Sequence, residues 1–287
     1  MDVYPDVACA LNYIKPNRFL SWLLDLPRHR AAGIIALGEC MRERLIGHGI
    51  DPAKIHIIEN WADGDLVRAL PMPTAAEGGP IHMLYSGNLG LAHDYQTMLD
   101  VIPQTQNVRF TFSGGGAHQS KFQGLPNTVT KPYSSLEALG DHLAQCHIGL
   151  VTQLPATLGC VVPSKSYGLM AAGRPMLFIG PRQSTVARNI EKFKCGWVFD
   201  CGDSKGIVEL LQHLQGNRHL IEEAGRNARE AFEKYFDKPI AMAKFVKVLG
   251  LEAHATGILS GESRAKGRTS RTMAATQEDA RKSGSSK

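Results

Sequence analysis

The sequence lacks the features by which several protein classes are recognised. Its six cysteines are scattered, without a Cys-x-x-Cys pair or a spacing typical of metal ligands. No apolar run approaches the ~20 residues that a membrane-spanning helix needs. The first residues do not join a basic segment to an apolar core, as an export signal does. We therefore expect a cytoplasmic protein with reduced, mostly buried thiols and no metal.

The common phosphate-binding and catalytic signatures are also missing. No Gly-x-Gly-x-x-Gly follows a strand with an acid about 20 residues later, and Gly-Lys-Ser/Thr is absent, which excludes the dinucleotide fingerprint and the P-loop. No Ser-His-Asp, Cys-His or paired-carboxylate arrangement can be assembled from spacing. The formal net charge of +5 lies mainly after Ser260, where seven Lys or Arg face three Asp or Glu. A nearly neutral body argues against nucleic acid as the main partner.

What the sequence does contain is a regular alternation of apolar strands and amphipathic helices, in a chain that is 43% hydrophobic and 21% charged. This alternation predicts right-handed βαβ units and an α/β fold, a Rossmann-like doubly wound parallel sheet. The expected strands are 33–37, 54–58, 81–86, 108–113, 128–132, 148–152, 176–179 and 196–200. The expected helices are 38–48, 95–102, 118–122, 134–145 (with a capping box from Ser134 to Glu137), 184–194, 204–214, 217–235 and 239–249.

The first 30 residues do not share this alternation. Asp2–Asp6 has the pattern of a strand end that enters a turn. Phe19–Leu26 is a short, strongly apolar helix candidate between Arg18 and Arg28. Trp and Leu beside Arg are typical of an interfacial membrane anchor, but the same helix could pack on a neighbouring domain, and its shortness favours packing.

The stretch from Val162 to Gly180 is the most informative one. Pro163 and Ser164 predict a helix start with Ser164 as its cap, and Gly173 and Pro175 predict its end before a buried strand at 176–179. A helix start that carries Ser and Lys after a strand is a place where phosphate binds. The alternative is one more well-capped helix and strand.

Three loops follow predicted strands at the carboxyl edge of the sheet, where ligands bind in open α/β folds. They are 87–90 with His93 behind it, the glycines 114–116, and 157–165. Glycines allow backbone N–H groups to approach an anion. The series predicts a nucleotide-type ligand. Lys165 would neutralise a diphosphate or be solvated, and His93 would contact the ligand or bond its own turn. Residues 60–65 would be a site edge or, as we favour, a capped turn.

Five segments in order, 31–45, 57–63, 84–94, 112–116 and 163–175, resemble the retaining GT4-type glycosyltransferases of the GT-B fold, and among them those of bacterial surface-polysaccharide synthesis. In that family two Rossmann-like domains face each other, and the C-terminal one binds the sugar nucleotide. The resemblance implies that 87–93 and 163–165 cradle the donor diphosphate and that Lys131 and Pro132 lie near the base. The implied catalytic residues are Lys165 and His93, and the implied donor-binding residues are Gly87, Asn88, Gly90, Gly115, Gly116, Lys131, Pro132, Val162, Pro163 and Ser164.

Two departures from the family pattern stand out. The family commonly has Glu-x7-Glu, one Glu near the donor sugar and one on the ribose, where this chain has Cys160 and Gly168. The chain also begins where the family's N-terminal domain is ending, so about 150 residues of acceptor domain would be missing. We expect residues 1–70 to be the end of that domain, 71–80 a linker, 81–235 the nucleotide-sugar domain, 236–255 a crossover helix and 256–287 a disordered basic tail.

The resemblance implies transfer of a hexose or N-acetylhexosamine from a nucleotide-diphosphate sugar, with no cofactor besides this donor. The expected partners are that donor, a glycan or lipid-linked acceptor, and a second polypeptide that supplies the acceptor domain. The expected location is the cytoplasm or the inner membrane face, reached through Phe19–Leu26. The alternatives are a nucleotide-sugar-binding module or inactive remnant without catalysis, and a scaffold that docks through residues 1–30.

Overall fold

The computed structural model describes residues 2–73 and 79–251. The chain divides into two units, Met1–Ala241 and Met242–Lys287. Of the second unit, the described residues comprise the last residues of a helix and the turn that follows. The expected linker 71–80 lies partly, and the expected tail 256–287 wholly, outside the described residues. The expected domain boundaries stay predictions.

A six-stranded parallel sheet forms the centre of the first unit. The strands are β3 (Ile81–Asn88), β4 (Val108–Gly115), β5 (Thr128–Lys131), β6 (Ile148–Thr152), β7 (Met176–Ile179) and β8 (Gly196–Phe199). Their order in the sheet is β5-β4-β3-β6-β7-β8, so the order reverses between β3 and β6. This is the order 3-2-1-4-5-6 of doubly wound nucleotide-binding sheets.

Helices cover both faces of this sheet. One apolar layer includes Tyr167, Met170, Ile190 and Phe232, and the other includes Met98, Phe110 and Leu211. The doubly wound α/β class expected from the alternation is therefore confirmed. The helices are α4 (Gln96–Val101), α5 (Leu139–Ala144), α6 (Lys165–Ala171), α7 (Thr185–Phe193), α8 (Ser204–Gly216), α9 (Arg218–Ala231) and α10 (Lys238–Val248), with a π-helical turn at Phe232–Phe236.

Residues 2–70 add a small parallel sheet and three helices. The two strands are β1 (Ile34–Ala36) and β2 (Ile55–Ile57), and the helices are α1 (Asp6–Ala10), α2 (Arg18–Arg30) and α3 (Glu39–Gly47). Arg44 on α3 joins this part to the main sheet, because its Nε and Nη2 donate to the Leu158 carbonyl at 3.0 and 2.7 Å. Val3 N also donates to the Cys160 carbonyl at 2.9 Å.

Three expectations about local structure are wrong. Residues 2–5 form a turn that leads into α1, not a strand end. The helix α2 extends beyond 19–26 at both ends, to Arg18 and Arg30. It begins at Arg18 because the Asn17 side chain caps it by accepting from the N–H of Phe19 and Leu20 at 3.0 and 3.2 Å. The helix α5 begins only at Leu139, and the capping box does not form, because Ser135 Oγ accepts from Ala138 N at 3.3 Å in a local turn.

His48 connects the three helices of residues 2–70. Its Nε2 lies 2.8 Å from Asp6 Oδ2 and its Nδ1 lies 2.7 Å from Asp25 Oδ2. Arg28 Nη1 contacts the other Asp25 oxygen at 2.5 Å. Burial alone would lower the pKa of His48, but hydrogen bonds and charge from Asp25 and Asp6 outweigh it and raise the pKa.

We predict that replacing His48 by Gln destabilises the protein in a pH-dependent manner. Because the folded-state pKa of His48 lies above its unfolded value, its stabilisation is fully present below that unfolded value and is lost as the pH rises through the folded one. Urea unfolding of both proteins between about pH 6 and about pH 9 should give a stability difference that shrinks as the pH rises. The exposed His213→Gln serves as control, and a difference that does not change with pH would contradict the assignment.

Candidate functional site

A cavity of about 410 Å³ lies at the carboxyl ends of the central strands. It stands where the strand order reverses between β3 and β6, the place at which open α/β sheets bind ligands. The sheet contributes Ser86, Gly87 and Leu150 to its wall, and α6 with the residue before it contributes Ser164, Lys165, Gly168 and Leu169. The loop 157–165 therefore reaches the expected edge of the sheet.

The opposite wall comes from the loop that contains residues 61–67, from the loop before α5 and from α5 itself. It is formed by Trp61, Ala62, Asp63, Leu66 and Val67, and by Tyr133, Ser134, Leu136, Leu139 and Leu143. Most of these side chains are apolar. A ligand that fills the cavity therefore needs an apolar or aromatic part.

The segment 61–63 belongs to a capped turn and also lines the cavity. Asp63 Oδ1 accepts from Asp65 N at 3.1 Å, which closes the turn. Lys238 N donates to the Ala62 carbonyl at 3.0 Å, and Lys238 Nζ lies 2.9 Å from Asp63 Oδ2. The favoured interpretation of residues 60–65 as a turn is thus confirmed, and their role as a site edge stays a prediction. Glu59 supports the same loop by accepting from Tyr167 Oη and Asn189 Nδ2 at 2.9 and 2.7 Å.

Lys165 is the only ammonium group among the described residues that line this cavity. Its Nζ donates to Tyr85 Oη and lies 3.9 Å from the centre of the Tyr85 ring. No described residue forms an ion pair with it, and burial lowers its pKa to about 7. The solvated alternative for Lys165 is therefore wrong, and an anion in the cavity would find an unneutralised partner.

His93 lies behind the cavity wall and does not line it. Its Nδ1–H donates to the Thr152 carbonyl of β6 at 2.8 Å, so its side chain does not bond its own turn. Burial, with the charge of Lys165, lowers the pKa of His93 to about 4. His93 is neutral near pH 7, and its contact with a ligand stays a prediction.

The structure gives the glycines of the two loops a packing role. Gly114 has φ +137°, and a Cβ there would lie 2.1 Å from the Gly87 carbonyl oxygen. At Gly116, with φ +112°, a Cβ would lie 2.4 Å from Asn88 Oδ1. Neighbouring protein atoms occupy these spaces, and contact of the loop N–H groups with an anion stays a prediction. Gly87 differs, because it faces the Lys165 side chain. A Cβ at Gly87 would lie 3.6 Å from Lys165 Cε.

The remaining predicted residues divide between the cavity and its surroundings. Ser164 lines the cavity, but its side chain caps no helix N–H, so its expected capping role is wrong. The ends of β3 and β4 and the loops after them contact each other beside the cavity, and they contain Asn88, Gly90, Gly115 and Gly116. Val162 and Pro163 pack below α6, and Lys131 and Pro132 precede the lining residue Tyr133.

The two positions that depart from the family pattern have different environments. Cys160 is fully buried, accepts from Val3 N, and burial raises the pKa of its thiol to about 11. It is therefore out of reach of a ligand in the cavity. Gly168 lines the cavity, and a Cβ there would meet only Leu143 Cδ1, at 3.5 Å.

Tyr85 and Tyr133 are the residues at the candidate site that sequence reasoning missed, whereas Trp61 lies in the segment 60–65 that it weighed as a site edge. Tyr85 lies in a buried strand run and reads as core, and only its hydroxyl distinguishes it from Phe. All six cysteines are free thiols and four of them are buried, as expected. Within the described part of the chain, no group of three or more His, Cys, Asp or Glu residues could hold a metal ion.

The fold and the site define a Rossmann-like domain that offers one buried cation at its topological switch point. No family model matches the chain. It is 24% identical over 263 residues to the probable glycosyltransferase WbjE of Pseudomonas aeruginosa, covering 85% of this chain and 65% of WbjE. It is 22% identical over 235 residues to the putative colanic acid biosynthesis glycosyl transferase WcaI of Escherichia coli, covering 76% and 57%.

Solved structures agree on the fold. Anabaena HepE with UDP-glucose superposes with a TM-score of 0.67 at 13% identity, over 85% of this chain and 69% of HepE. WaaG, a glycosyltransferase of lipopolysaccharide biosynthesis, gives 0.62 at 13% identity, over 87% and 73%. These comparisons confirm the resemblance seen in the sequence: the chain has the fold of GT-B glycosyltransferases, and its curated relatives are named as glycosyltransferases. It spans less than two thirds of the length of these curated relatives.

No described helix is long and apolar enough to cross a membrane.

We predict that Gly114→Ala destabilises the protein by about 3 kcal/mol, because it adds a Cβ against the Gly87 carbonyl at a positive φ. Urea unfolding measures the loss. The control is Gly216→Ala at the end of α8, where a Cβ would meet nothing within 4 Å. Equal stability of the two variants would show that the β3 and β4 loops do not need this close approach.

Proposed function

We propose that the chain is the donor-binding part of a glycosyltransferase that uses a nucleotide-diphosphate sugar. One observation carries this proposal: the Lys165 ammonium faces the cavity at the switch point without a carboxylate partner among the described residues. A buried cation without a counter-ion is costly unless an anionic ligand completes it. The helix α6 is only seven residues long, so we rest the assignment on Lys165 and not on the helix end.

The donor diphosphate is proposed to lie between Lys165 and the Gly87 loop. The base would lie toward Lys131, Pro132 and Tyr133, where the wall offers an exposed ring. HepE has been solved in complex with UDP and with UDP-glucose, which supports a uridine nucleotide as the first probe.

The proposed reaction breaks the bond between the anomeric carbon and the diphosphate oxygen and joins that carbon to an acceptor oxygen with retention of configuration. The nucleoside diphosphate leaves with the bonding electron pair, and the proton of the acceptor hydroxyl passes to the departing diphosphate oxygen. Lys165 would stabilise the charge on this leaving group, which is electrostatic catalysis. The transferred group is proposed to be a hexose or N-acetylhexosamine, with no cofactor beyond the donor, in the cytoplasm.

The acceptor is proposed to be a glycan or a lipid-linked sugar of surface polysaccharide synthesis. The names of WbjE and WcaI support the reaction class, and colanic acid in the name of WcaI supports the polymer class. Because the chain spans only part of these relatives, we propose that polypeptide beyond the described site, such as a second chain, completes the acceptor pocket.

A second candidate is a nucleotide-sugar-binding module without turnover. It is favoured by Cys160, which is buried under residues 2–6 at the position where the family has a carboxylate near the sugar. The two candidates differ in turnover. Binding of UDP-glucose without release of UDP, in a bacterial membrane extract that supplies both lipid acceptors and the completing polypeptide, would favour the module.

We predict that Lys165→Met weakens UDP binding by about 1–3 kcal/mol, the range for hydrogen bonds to charged groups. Because burial places the pKa of Lys165 at about 7, the ratio of wild-type to variant affinity should fall as the pH rises above that value. Calorimetry at several pH values measures both effects. Lys205→Met, an exposed change on α8, is the control. Unchanged UDP affinity in Lys165→Met would remove the diphosphate assignment.

Peripheral membrane contact through α2 is a further part of the proposal. Phe19 and Trp22 are 68% and 59% exposed with their rings 5.8 Å apart, and Leu23 continues the same helix face. Lys15, Arg18 and Arg30 are exposed nearby. Asp25, the one acidic residue of α2, is turned inward toward His48 and Arg28. Exposed aromatic and basic residues without exposed acids suit an anionic lipid surface.

We predict that wild-type protein floats with phosphatidylglycerol-containing vesicles and that the double variant Phe19→Glu, Trp22→Glu lowers this partitioning at least about tenfold, because two apolar side chains no longer enter the lipid. Val129→Glu, which alters an exposed residue of β5, should partition like wild type. If wild type stays in solution, α2 packs on protein instead.

A further inference from the structure

The Lys165 ammonium is held by a neutral partner. Among the described residues, its bonding partner is the hydroxyl of Tyr85, and the ring of the same side chain lies 3.9 Å from Nζ. A carboxylate in this place would neutralise the ammonium before any ligand arrived. A phenol accepts a hydrogen bond and presents the face of its ring, but it carries no negative charge that would neutralise the ammonium.

Tyr85 is itself fixed on every side. It is 2% exposed, and its ring lies 6.1 Å from that of Phe112 and 6.0 Å from that of His93, measured between centroids. Its O–H donates to the Asn88 carbonyl at 2.8 Å. Because the hydroxyl hydrogen is committed to Asn88, the free lone pairs of the oxygen are left for Lys165. The order of donation is therefore Lys165 to Tyr85 to Asn88.

This chain of hydrogen bonds sets the place of the charge. A lysine side chain has four rotatable bonds and is mobile unless something holds its end. Here the end is held beside Gly87, where a Cβ would lie 3.6 Å from Cε and 3.8 Å from Nζ, at ordinary van der Waals contact. The two elements that meet, β3 and α6, are 80 residues apart in sequence.

We propose that Tyr85 is a positioning residue for anion binding: its hydroxyl holds the Lys165 ammonium at the cavity wall beside Gly87, with its charge free for the phosphate groups of the ligand. This inference rests on the proposed donor site and adds a residue to it. It also assigns the Asn88 carbonyl a role, because that carbonyl orients the Tyr85 hydroxyl.

The test compares a charged ligand with an uncharged one in the full chain. Tyr85→Phe keeps the ring and removes the oxygen, and we expect it to weaken UDP binding about tenfold while uridine affinity stays within about twofold. In a Lys165→Met background, the same Tyr85 change should alter UDP affinity by less than about twofold, because the group that Tyr85 positions is already gone.

Tyr167→Phe is the matched control. Tyr167 is also buried, and its hydroxyl also makes one side-chain hydrogen bond, to Glu59 at 2.9 Å, but it does not line the cavity. We expect this variant to lose stability in urea without a change in the ratio of UDP to uridine affinity. A general packing effect would therefore appear in both variants, whereas positioning appears only in Tyr85→Phe.

Two results would overturn the inference while leaving the donor site intact. One is a wild-type protein that binds UDP in a Lys165-dependent manner while Tyr85→Phe binds it equally well. The other is an equal loss of UDP and uridine affinity in Tyr85→Phe. If wild type binds neither UDP nor inorganic pyrophosphate, the donor site itself fails and the role of Tyr85 fails with it. Binding of pyrophosphate alone would retain the anion site and reject the nucleotide.

Discussion

The site depends on one interaction, the contact between the Lys165 ammonium and the Tyr85 hydroxyl across the switch point of the sheet. An ammonium removed from water loses hydration energy that a single neutral hydrogen bond does not restore. The fold tolerates this because the ring face, the hydroxyl and the adjacent cavity together keep the cation partly stabilised. A binding surface is thereby prepared before the ligand arrives, which lowers the reorganisation that binding would otherwise require.

The glycine-rich loops serve this contact from behind. Gly114 and Gly116 allow β4 to approach the end of β3 so closely that no Cβ would fit. This approach fixes the backbone of Gly87 and Asn88, and the Asn88 carbonyl then fixes the Tyr85 hydroxyl. The glycines thus act on Lys165 indirectly. Their conformational freedom allows the two loops to pack closely. The rigid loops in turn fix the position of the Lys165 ammonium through Tyr85.

Sequence reasoning found the elements that local pattern determines. The strands 148–152 and 176–179 have the predicted bounds, because a continuous apolar run between turn residues leaves few alternatives. Lys165, Gly87 and Ser164 were correctly predicted to lie near one another, because parallel strands bring their carboxyl ends to one edge. Tyr85 was missed because its hydroxyl bonds Lys165, which lies 80 positions away in the sequence. The helix α5 was predicted too long because Ser134 and Glu137 match a cap pattern that a local turn outcompetes.

The two positions that depart from the family pattern differ in their surroundings. Cys160 is packed in the protein interior, whereas Gly168 lines the cavity. Cys160 is fully buried and its backbone carbonyl accepts from Val3 N, so a carboxylate at this position would be a buried charge that needs a partner of its own. Gly168 lines the cavity beside Leu143 and Leu169, and together these three residues form an apolar wall. The cavity therefore combines one cation, at Lys165, with an apolar wall that includes Leu143 and Leu169. For the proposed donor site, a diphosphate joined to a ring system matches this combination better than a free sugar, whose hydroxyls would face the leucines unpaired.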